Sequence, residues 1–135
     1  MNITEILVLL IASVPISIWD FDFCKKYDGW HTINIQDDII SNNKIEICKS
    51  ARDKEFALAH ELGHQYWFVG LSLWERNEYR KLFESSKEND FYTDYSKTNA
   101  IEDFSDNFAL IVQNKKINKW EIHKQKTDFI KKTFK

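Results

Sequence analysis

The sequence contains little glycine or proline. Its 135 residues include three glycines and one proline, so it offers no flexible linker and no obvious boundary between domains. We also find no internal repeat and no low-complexity tract in it. We therefore expect residues 1–135 to form a single domain.

An excess of charge of one sign is also missing. The formal net charge is −2, without the basic excess that would favour nucleic-acid binding or an acidic tail that would indicate a disordered arm. We therefore expect no nucleic-acid partner. Hydrophobic residues at 43% and charged residues at 30% are typical of globular proteins. Lysine is frequent near the C-terminus, but acidic and aromatic residues alternate with it, so we expect a solvated helix face there.

Cysteine is scarce as well. Cys24 and Cys48 are the two cysteines of the chain, and they could form one disulfide, but their spacing does not require it. A free cysteine often acts as a small buried hydrophobe. We expect two reduced, partly buried thiols and leave the pairing open.

The longest apolar run lies near the N-terminus, at Ile6–Trp19. It resembles the core of a signal peptide, but the one charged side chain ahead of it is Glu5, where a leader normally carries lysine or arginine. The run is also short for a membrane span. We therefore expect a core helix followed by a strand, with no stable membrane span. On the same ground we weakly favour an intracellular over a secreted protein.

The apolar patterning predicts a small sheet with one helix, followed by a mainly helical part. This order indicates the α+β class. In the first part we expect a helix at Thr4–Ser13, strands at Ile16–Phe23, Trp30–Ile35 and Lys44–Cys48, and a turn at Asn42 and Asn43 before the last strand. In the second part we expect four helices. They lie at Ala51–Phe68 with Ser50 as the cap, at Leu71–Ser86, in the segment that follows a cap at Thr98 or Asn99, and at Asn118–Lys132.

The strongest motif is His-Glu-Leu-Gly-His at positions 60–64. On a helix, His60 and His64 lie one turn apart on the same face, where both imidazoles can bind one zinc ion. Glu61 lies about 100° around the helix, so it can reach a water activated by the metal and act as general base. The flanking residues are apolar, and burying these polar groups without a partner would be costly. The motif therefore predicts a metal site.

A catalytic zinc site has three protein ligands, and the best candidate for the third is Glu102. Glu102 and Asp106 stand at positions i and i+4 of one helix, beside an apolar stripe, so Asp106 could accept a hydrogen bond from a ligand histidine. Alternatively, both acids face solvent, and Asp103 is then an equally good choice. His31 and His123 have no supporting context, and we expect both to be surface or structural histidines.

The two motifs together resemble the gluzincin metallopeptidases, in which a His-Glu-x-x-His helix is followed by Glu-x-x-x-Asp. The stretch Tyr-Ser-Lys-Thr-Asn-Ala-Ile-Glu-Asp-Phe-Ser-Asp-Asn-Phe-Ala at Tyr95–Ala109 is similar to the family of the anthrax lethal factor catalytic domain and the Pro-Pro endopeptidases. This resemblance implies a zincin-like single domain with one zinc ion per chain. The residue roles it implies are metal ligands at His60, His64 and Glu102, an orienting acid at Asp106, and a hydrogen-bond donor to the developing oxyanion at Tyr95.

The chain also departs from this family. Ser105 stands where the family usually has alanine, and Asp106 where it often has glutamate. The chain is shorter than most relatives, so we do not transfer their substrate preference. Tyr92 is a local rival for the role of Tyr95, which could equally be one loop aromatic among several.

The function we expect is that of a zinc-dependent metalloendopeptidase acting on a peptide or protein. A first alternative is a metal-bound binding or regulatory module with little proteolysis, although Glu61 and Tyr95 would then have no purpose. A second alternative is a regulatory peptidase that cleaves one repressor. The sequence leaves the substrate and the oligomeric state open.

Overall fold

A computed structural model describes residues 1–115 and 121–134, without the side chains of 121–123. Five helices and a three-stranded sheet form a mixed architecture, so the predicted α+β class is confirmed. The elements are α1 (Ile3–Ser13), β1 (Ile16–Trp19), a 3-10 turn (Asp22–Lys25), β2 (Gly29–Gln36), β3 (Ile39–Cys48), α2 (Lys54–Val69), α3 (Leu73–Glu84), a second 3-10 turn (Tyr95–Lys97), α4 (Ala100–Val112) and α5 (Glu121–Lys132).

The apolar N-terminal run forms α1 and β1, as the sequence predicted. The helix begins at Ile3 rather than at Thr4, and Asn2 caps it, because the Asn2 side chain accepts a hydrogen bond from the Glu5 backbone. Ile6 and Leu10 of α1 enter the core. Among the described helices, none is both long and apolar enough to cross a bilayer.

The sheet has the strand order β1-β3-β2, with β3 parallel to β1 and antiparallel to β2. The predicted turn at Asn42 and Asn43 is wrong, since both residues lie within β3. The hairpin instead turns at Asp37 and Asp38, whose φ angles of 52° and 62° are those required by a tight two-residue turn. Aspartate tolerates this left-handed backbone better than most residues, which is why the turn falls there.

The predicted strand Ile16–Phe23 is too long, because pairing with β3 ends at Trp19. The chain then enters the first 3-10 turn, and Cys24 in this turn forms a disulfide with Cys48. The expectation of two reduced thiols is therefore wrong. Its cause is topological: β1 and β3 are parallel, so the turn after β1 lies beside the last residue of β3.

The helix caps refine the expected boundaries. Asp53 rather than Ser50 caps α2, which starts three residues later than predicted. Asn99 rather than Thr98 caps α4, and Ser72 forms a capping box at the start of α3. Each cap supplies an acceptor to a backbone N–H that the helix itself leaves unpaired.

Helix α2 is central to the core, packing against the sheet on one side and α4 on another. The two helices approach most closely at Gly63, where a Cβ atom would lie 2.9 Å from the Ser105 Cα. The largest buried apolar side chains are Ile45, Ile47, Trp67, Tyr79, Phe104, Phe108 and Ile130. Because these residues pack between α2, α4 and their neighbours, the core fixes the two helices that carry the candidate site.

Helix α5 exposes Lys124, Lys131 and Lys132, as the predicted solvated face requires, but one of its lysines departs from that prediction. Lys126 is fully buried, and its Nζ lies 3.0 Å from an Asp103 carboxylate oxygen. The same ammonium group donates to the Asp90 carbonyl at 2.9 Å. A buried charge needs such partners, so this lysine attaches α5 to α4 and to the loop before α4. The predicted start at Asn118 lies outside the described residues.

Candidate metal centre

The three predicted ligands lie together in one buried cluster. His60 and His64 project from one face of α2, and Glu102 projects towards them from the first turn of α4. His60 Nε2 lies 2.9 Å from one oxygen of Glu102, and His64 Nε2 lies 3.1 Å from the other. One ligand atom from each residue lies within 4.8 Å of the others. The cluster could therefore hold a metal ion.

Asp106 lies on the far side of His60, one turn beyond Glu102. One carboxylate oxygen of Asp106 is 2.7 Å from His60 Nδ1, and the other accepts a hydrogen bond from Thr93 Oγ1 at 2.7 Å. Asp106 is buried, so its orientation is fixed. Sequence reasoning predicted the acid but missed Thr93, because a threonine in a polar loop carries no distinctive signal.

The electrostatics of the cluster favour a shared positive charge. Burial lowers the pKa of His60, but hydrogen bonds to Asp106 and Glu102 more than offset it and raise the pKa to about 10. For Glu102 the directions are reversed. Burial raises its pKa, but the hydrogen bonds with His60 and His64 more than offset this effect and lower the pKa to about 2. The surroundings of His60 thus stabilise a cation, which a proton or a metal ion could supply.

The chemistry of the donor set fits zinc. Two imidazole nitrogens and one carboxylate oxygen are the ligands of a common type of catalytic zinc site. A carboxylate that accepts the second N–H of a ligand histidine is the usual outer partner in such sites, and Asp106 has this position on His60. Because all three ligands are anchored on packed helices, the site needs little rearrangement to bind an ion.

Glu61 is buried next to the cluster but is not one of its three ligands. A Cβ atom at Gly29 of β2 would lie 3.2 Å from the Glu61 Cγ, so the strand backbone passes directly over this side chain. Burial raises the pKa of Glu61, and the positive charges of His64 and His60 lower it only in part. A carboxylate in such surroundings is suited to accept and return a proton.

Tyr95 begins the second 3-10 turn, which precedes α4, and its side chain is exposed. Its ring is 6.2 Å from that of Tyr27. Burial and the negative charge of Glu102 raise the pKa of Tyr95 to about 12, so it keeps its proton. Tyr92 instead packs against Phe56, with ring centroids 5.6 Å apart. The two tyrosines thus have different surroundings, which a sequence cannot reveal.

A groove of about 360 Å³ opens beside His64 and Glu102. Its wall includes His31 of β2, whose Nε2 lies 2.7 Å from Gln65 Oε1 and 3.1 Å from Asn43 Oδ1. His31 is therefore a hydrogen-bonded, partly buried histidine, as expected, but its place beside the site was not foreseen. The other groove residues are Trp30, Thr32, Ile33, Phe68, Asn99 and Ile101. The side chain of His123 lies outside the described part of the chain.

Asp103, the alternative to Glu102, lies on a neighbouring face of α4 that packs against Tyr79 and Lys126. It is fully buried, accepts a hydrogen bond from Tyr79 Oη at 3.0 Å and pairs with Lys126. Consecutive helical residues point about 100° apart, and here that rotation directs Asp103 to Tyr79 and Lys126 and Glu102 to the two histidines. A second cavity of about 490 Å³ lies between α1, the end of α2 and Thr133, and its lining is mainly apolar.

Comparisons of the chain with family models, with curated proteins and with solved structures find no match.

Proposed function

We propose that this chain is a zinc-dependent metalloendopeptidase of the gluzincin type, with a zincin-like fold and one zinc ion held by His60, His64 and Glu102. The observation that supports the proposal best is the convergence of these three side chains from two helices in a buried cluster. The resemblance to the lethal-factor-like and Pro-Pro endopeptidase family, based on Tyr95 and the Glu-x-x-x-Asp pattern, agrees with this assignment.

His60 has a partner that orients it for the ion. The Nδ1–H of His60 donates to Asp106, which leaves the Nε2 lone pair for the metal. Glu102 presents one oxygen to each histidine. When bound, Zn²⁺ polarises a carbonyl oxygen and lowers the pKa of a water molecule to about 7.

Glu61 is the proposed general base. Its carboxylate accepts a proton from the attacking water and then donates that proton to the leaving amine nitrogen. Burial raises the pKa of Glu61, which brings it closer to neutral pH, where one group can accept and then return a proton efficiently.

Tyr95 is the proposed donor to the oxyanion. Its phenol stays protonated because its pKa is raised to about 12. The O–H can therefore donate a hydrogen bond to the carbonyl oxygen as negative charge develops on it. Tyr95 is about half exposed, with 47% of its surface accessible, so a substrate can reach it.

The edge of the sheet supports an extended peptide as the substrate. β2 is an edge strand in the order β1-β3-β2, and its residues Trp30 to Ile33 line the groove beside His64 and Glu102. An extended peptide can pair with such an edge through main-chain hydrogen bonds, which would align a peptide bond with the site.

The proposal is tested by zinc content and peptide cleavage measured on the same purified proteins. We expect about one zinc ion per chain in the unsubstituted protein and in Glu61→Gln, and none in Glu102→Ala. Cleavage of a mixed peptide library should fall at least about 100-fold in Glu61→Gln, since general acid–base catalysis contributes that much or more. The matched control is Glu55→Gln, an exposed position on the same helix, which should change neither quantity.

The two measurements separate the alternatives. Zinc that binds without any cleavage would favour a binding module or a peptidase restricted to one protein substrate. A chain that binds no zinc after reconstitution would contradict the proposal. Full turnover in Glu61→Gln would remove Glu61 as the general base but leave the metal site standing.

A further inference from the structure

The hydroxyl group of Thr93 links two parts of the site that the proposed function treats separately. Thr93 Oγ1 donates to an Asp106 carboxylate oxygen at 2.7 Å and accepts from the Ser96 backbone N–H at 3.1 Å. A hydroxyl has one hydrogen to donate and two lone pairs. Its single donor is therefore committed to Asp106, while its acceptor side serves the loop.

The donor side fixes the orientation of Asp106. One carboxylate oxygen of Asp106 contacts His60 Nδ1 and the other contacts Thr93. With both oxygens engaged, the carboxylate plane cannot rotate without breaking one of these bonds. The groups that orient a metal-binding histidine affect metal affinity about ten- to hundredfold, and Thr93 acts through the acid that performs this role for His60.

The acceptor side fixes the turn that carries Tyr95. Ser96 Oγ donates to the Thr93 carbonyl at 2.6 Å and accepts from the Thr93 N–H at 3.3 Å. Together with the Thr93 hydroxyl, these bonds enclose residues 94 and 95, and Ser96 is fully buried. Tyr95 is thus held at the start of its turn by the same threonine that holds Asp106.

We propose that Thr93 is a positioning residue that couples the orientation of His60 to the placement of Tyr95. It touches neither the metal nor the substrate and acts through Asp106 on one side and Ser96 on the other. This inference depends on the proposed function, since it assigns a role towards the zinc site and the oxyanion donor.

The first test is zinc affinity, measured by competition with a chelating dye, which needs no turnover. Thr93→Val keeps the shape of the side chain but removes the donor, and we expect it to weaken zinc binding about ten- to hundredfold. Thr93→Ser restores the hydroxyl and should restore zinc affinity. Thermal unfolding of the same samples shows whether each variant is folded.

The second test loosens the turn through the Ser96 hydroxyl and leaves both hydrogen bonds of the Thr93 hydroxyl in place. Ser96→Ala leaves the Thr93–Asp106 bond in place, so zinc affinity should stay within about twofold of the unsubstituted protein, well below the loss expected when the orienting bond is broken. With zinc saturating, kcat should fall, and Tyr95→Phe should reduce kcat less in the Ser96→Ala background than in the unsubstituted one. If kcat is unchanged in Ser96→Ala, the placement of Tyr95 by this turn is wrong and the proposal is overturned, whether or not Thr93→Val folds.

The outcomes distinguish this inference from the proposed function. If the unsubstituted chain binds zinc and folded Thr93→Val binds it equally well, the coupling is wrong and the metal site stands. Equal losses of zinc affinity in Thr93→Val and Ser96→Ala would indicate general loosening of the loop and would also overturn the coupling. If the unsubstituted chain binds no zinc, the proposed function and this inference fail together.

Discussion

Two side chains at the site, Glu61 and Tyr95, lie in surroundings that favour their protonated forms. Burial is the main cause for both. For Glu61 this makes the return of a proton easier, and for Tyr95 it preserves an O–H donor at neutral pH. The local environment of each residue thus suits the role that the sequence motif predicts for it.

Replacement of Tyr95 by phenylalanine removes the donor and keeps the ring. We expect kcat to fall about 100-fold, the usual effect of losing one oxyanion donor, with zinc content unchanged. Tyr92→Phe is the matched control, because Tyr92 packs against Phe56, and it should retain its kcat. If kcat falls more in Tyr92→Phe than in Tyr95→Phe, Tyr92 rather than Tyr95 is the oxyanion donor. Steady-state cleavage of one library-derived peptide measures both variants.

The residues that the sequence predicted share a local spacing. His60 and His64, like Glu102 and Asp106, are separated by one helical turn, so their common face follows from helix geometry alone. Thr93 and His31 reach the site through a loop and through packing of a strand on a helix. No spacing in the chain encodes such contacts, and the sequence therefore could not identify them.

Helices α2 and α4 form the element pair on which the cluster depends. They carry all three proposed ligands, and Gly63 allows the backbone of α4 to come close to α2. The sequence indicated both helices from their apolar periodicity. It could not give their separation, which depends on a glycine in one helix facing the Ser105 backbone in the other.

Gly63→Ala tests this close approach. The added methyl group would lie 2.9 Å from the Ser105 Cα, and backbone atoms cannot move aside as a flexible side chain can. We expect the free energy of unfolding to fall by about 1–3 kcal/mol, as in other overpacked cores, and zinc affinity to fall because Glu102 moves with α4. Urea unfolding and dye competition measure the two effects.

A stabilising effect of Gly63→Ala would contradict this prediction. Alanine is a better helix former than glycine by about 0.5–1 kcal/mol. If the Gly63→Ala protein is more stable and binds zinc normally, the Ser105 backbone of α4 does not pack closely against Gly63. Gly63→Ser, which adds one more atom, should be less stable than Gly63→Ala if the contact is real.

At the scale of the whole molecule, the disulfide encloses the part of the sheet that borders the site. The segment between Cys24 and Cys48 contains all of β2, including Gly29 beside Glu61. The spacing of the two cysteines in the sequence does not predict their pairing, because the pairing follows from the parallel alignment of β1 and β3. Disulfides persist in oxidising compartments. The Cys24–Cys48 bond is therefore evidence against the intracellular location that the sequence weakly favoured, and that location stays a prediction.

Reduction of this disulfide should destabilise the chain. Its sequence separation of 24 residues corresponds to about 3 kcal/mol of unfolding free energy in the loop-entropy account. Urea unfolding of oxidised and reduced protein measures the difference, and Cys24→Ser is the control that adding reductant should not affect. Reaction of both cysteines with an alkylating reagent in the native, unreduced protein would contradict the pairing.

Helix α4 carries two polar i, i+4 pairs, and the second pair is offset from the first by one residue. The first pair is Glu102 with Asp106, and the second is Asp103 with Asn107. The first pair faces the histidines of α2, and the second contacts Tyr79 and Lys126. Deleting one residue between Asp103 and Asp106 would rotate the rest of the helix by about 100° and bring an amide beside His60 in place of a carboxylate. In evolutionary terms, this helix can change by substitution, whereas an insertion or deletion here would take Asp106 away from His60 and Asn107 away from Tyr79 in a single step.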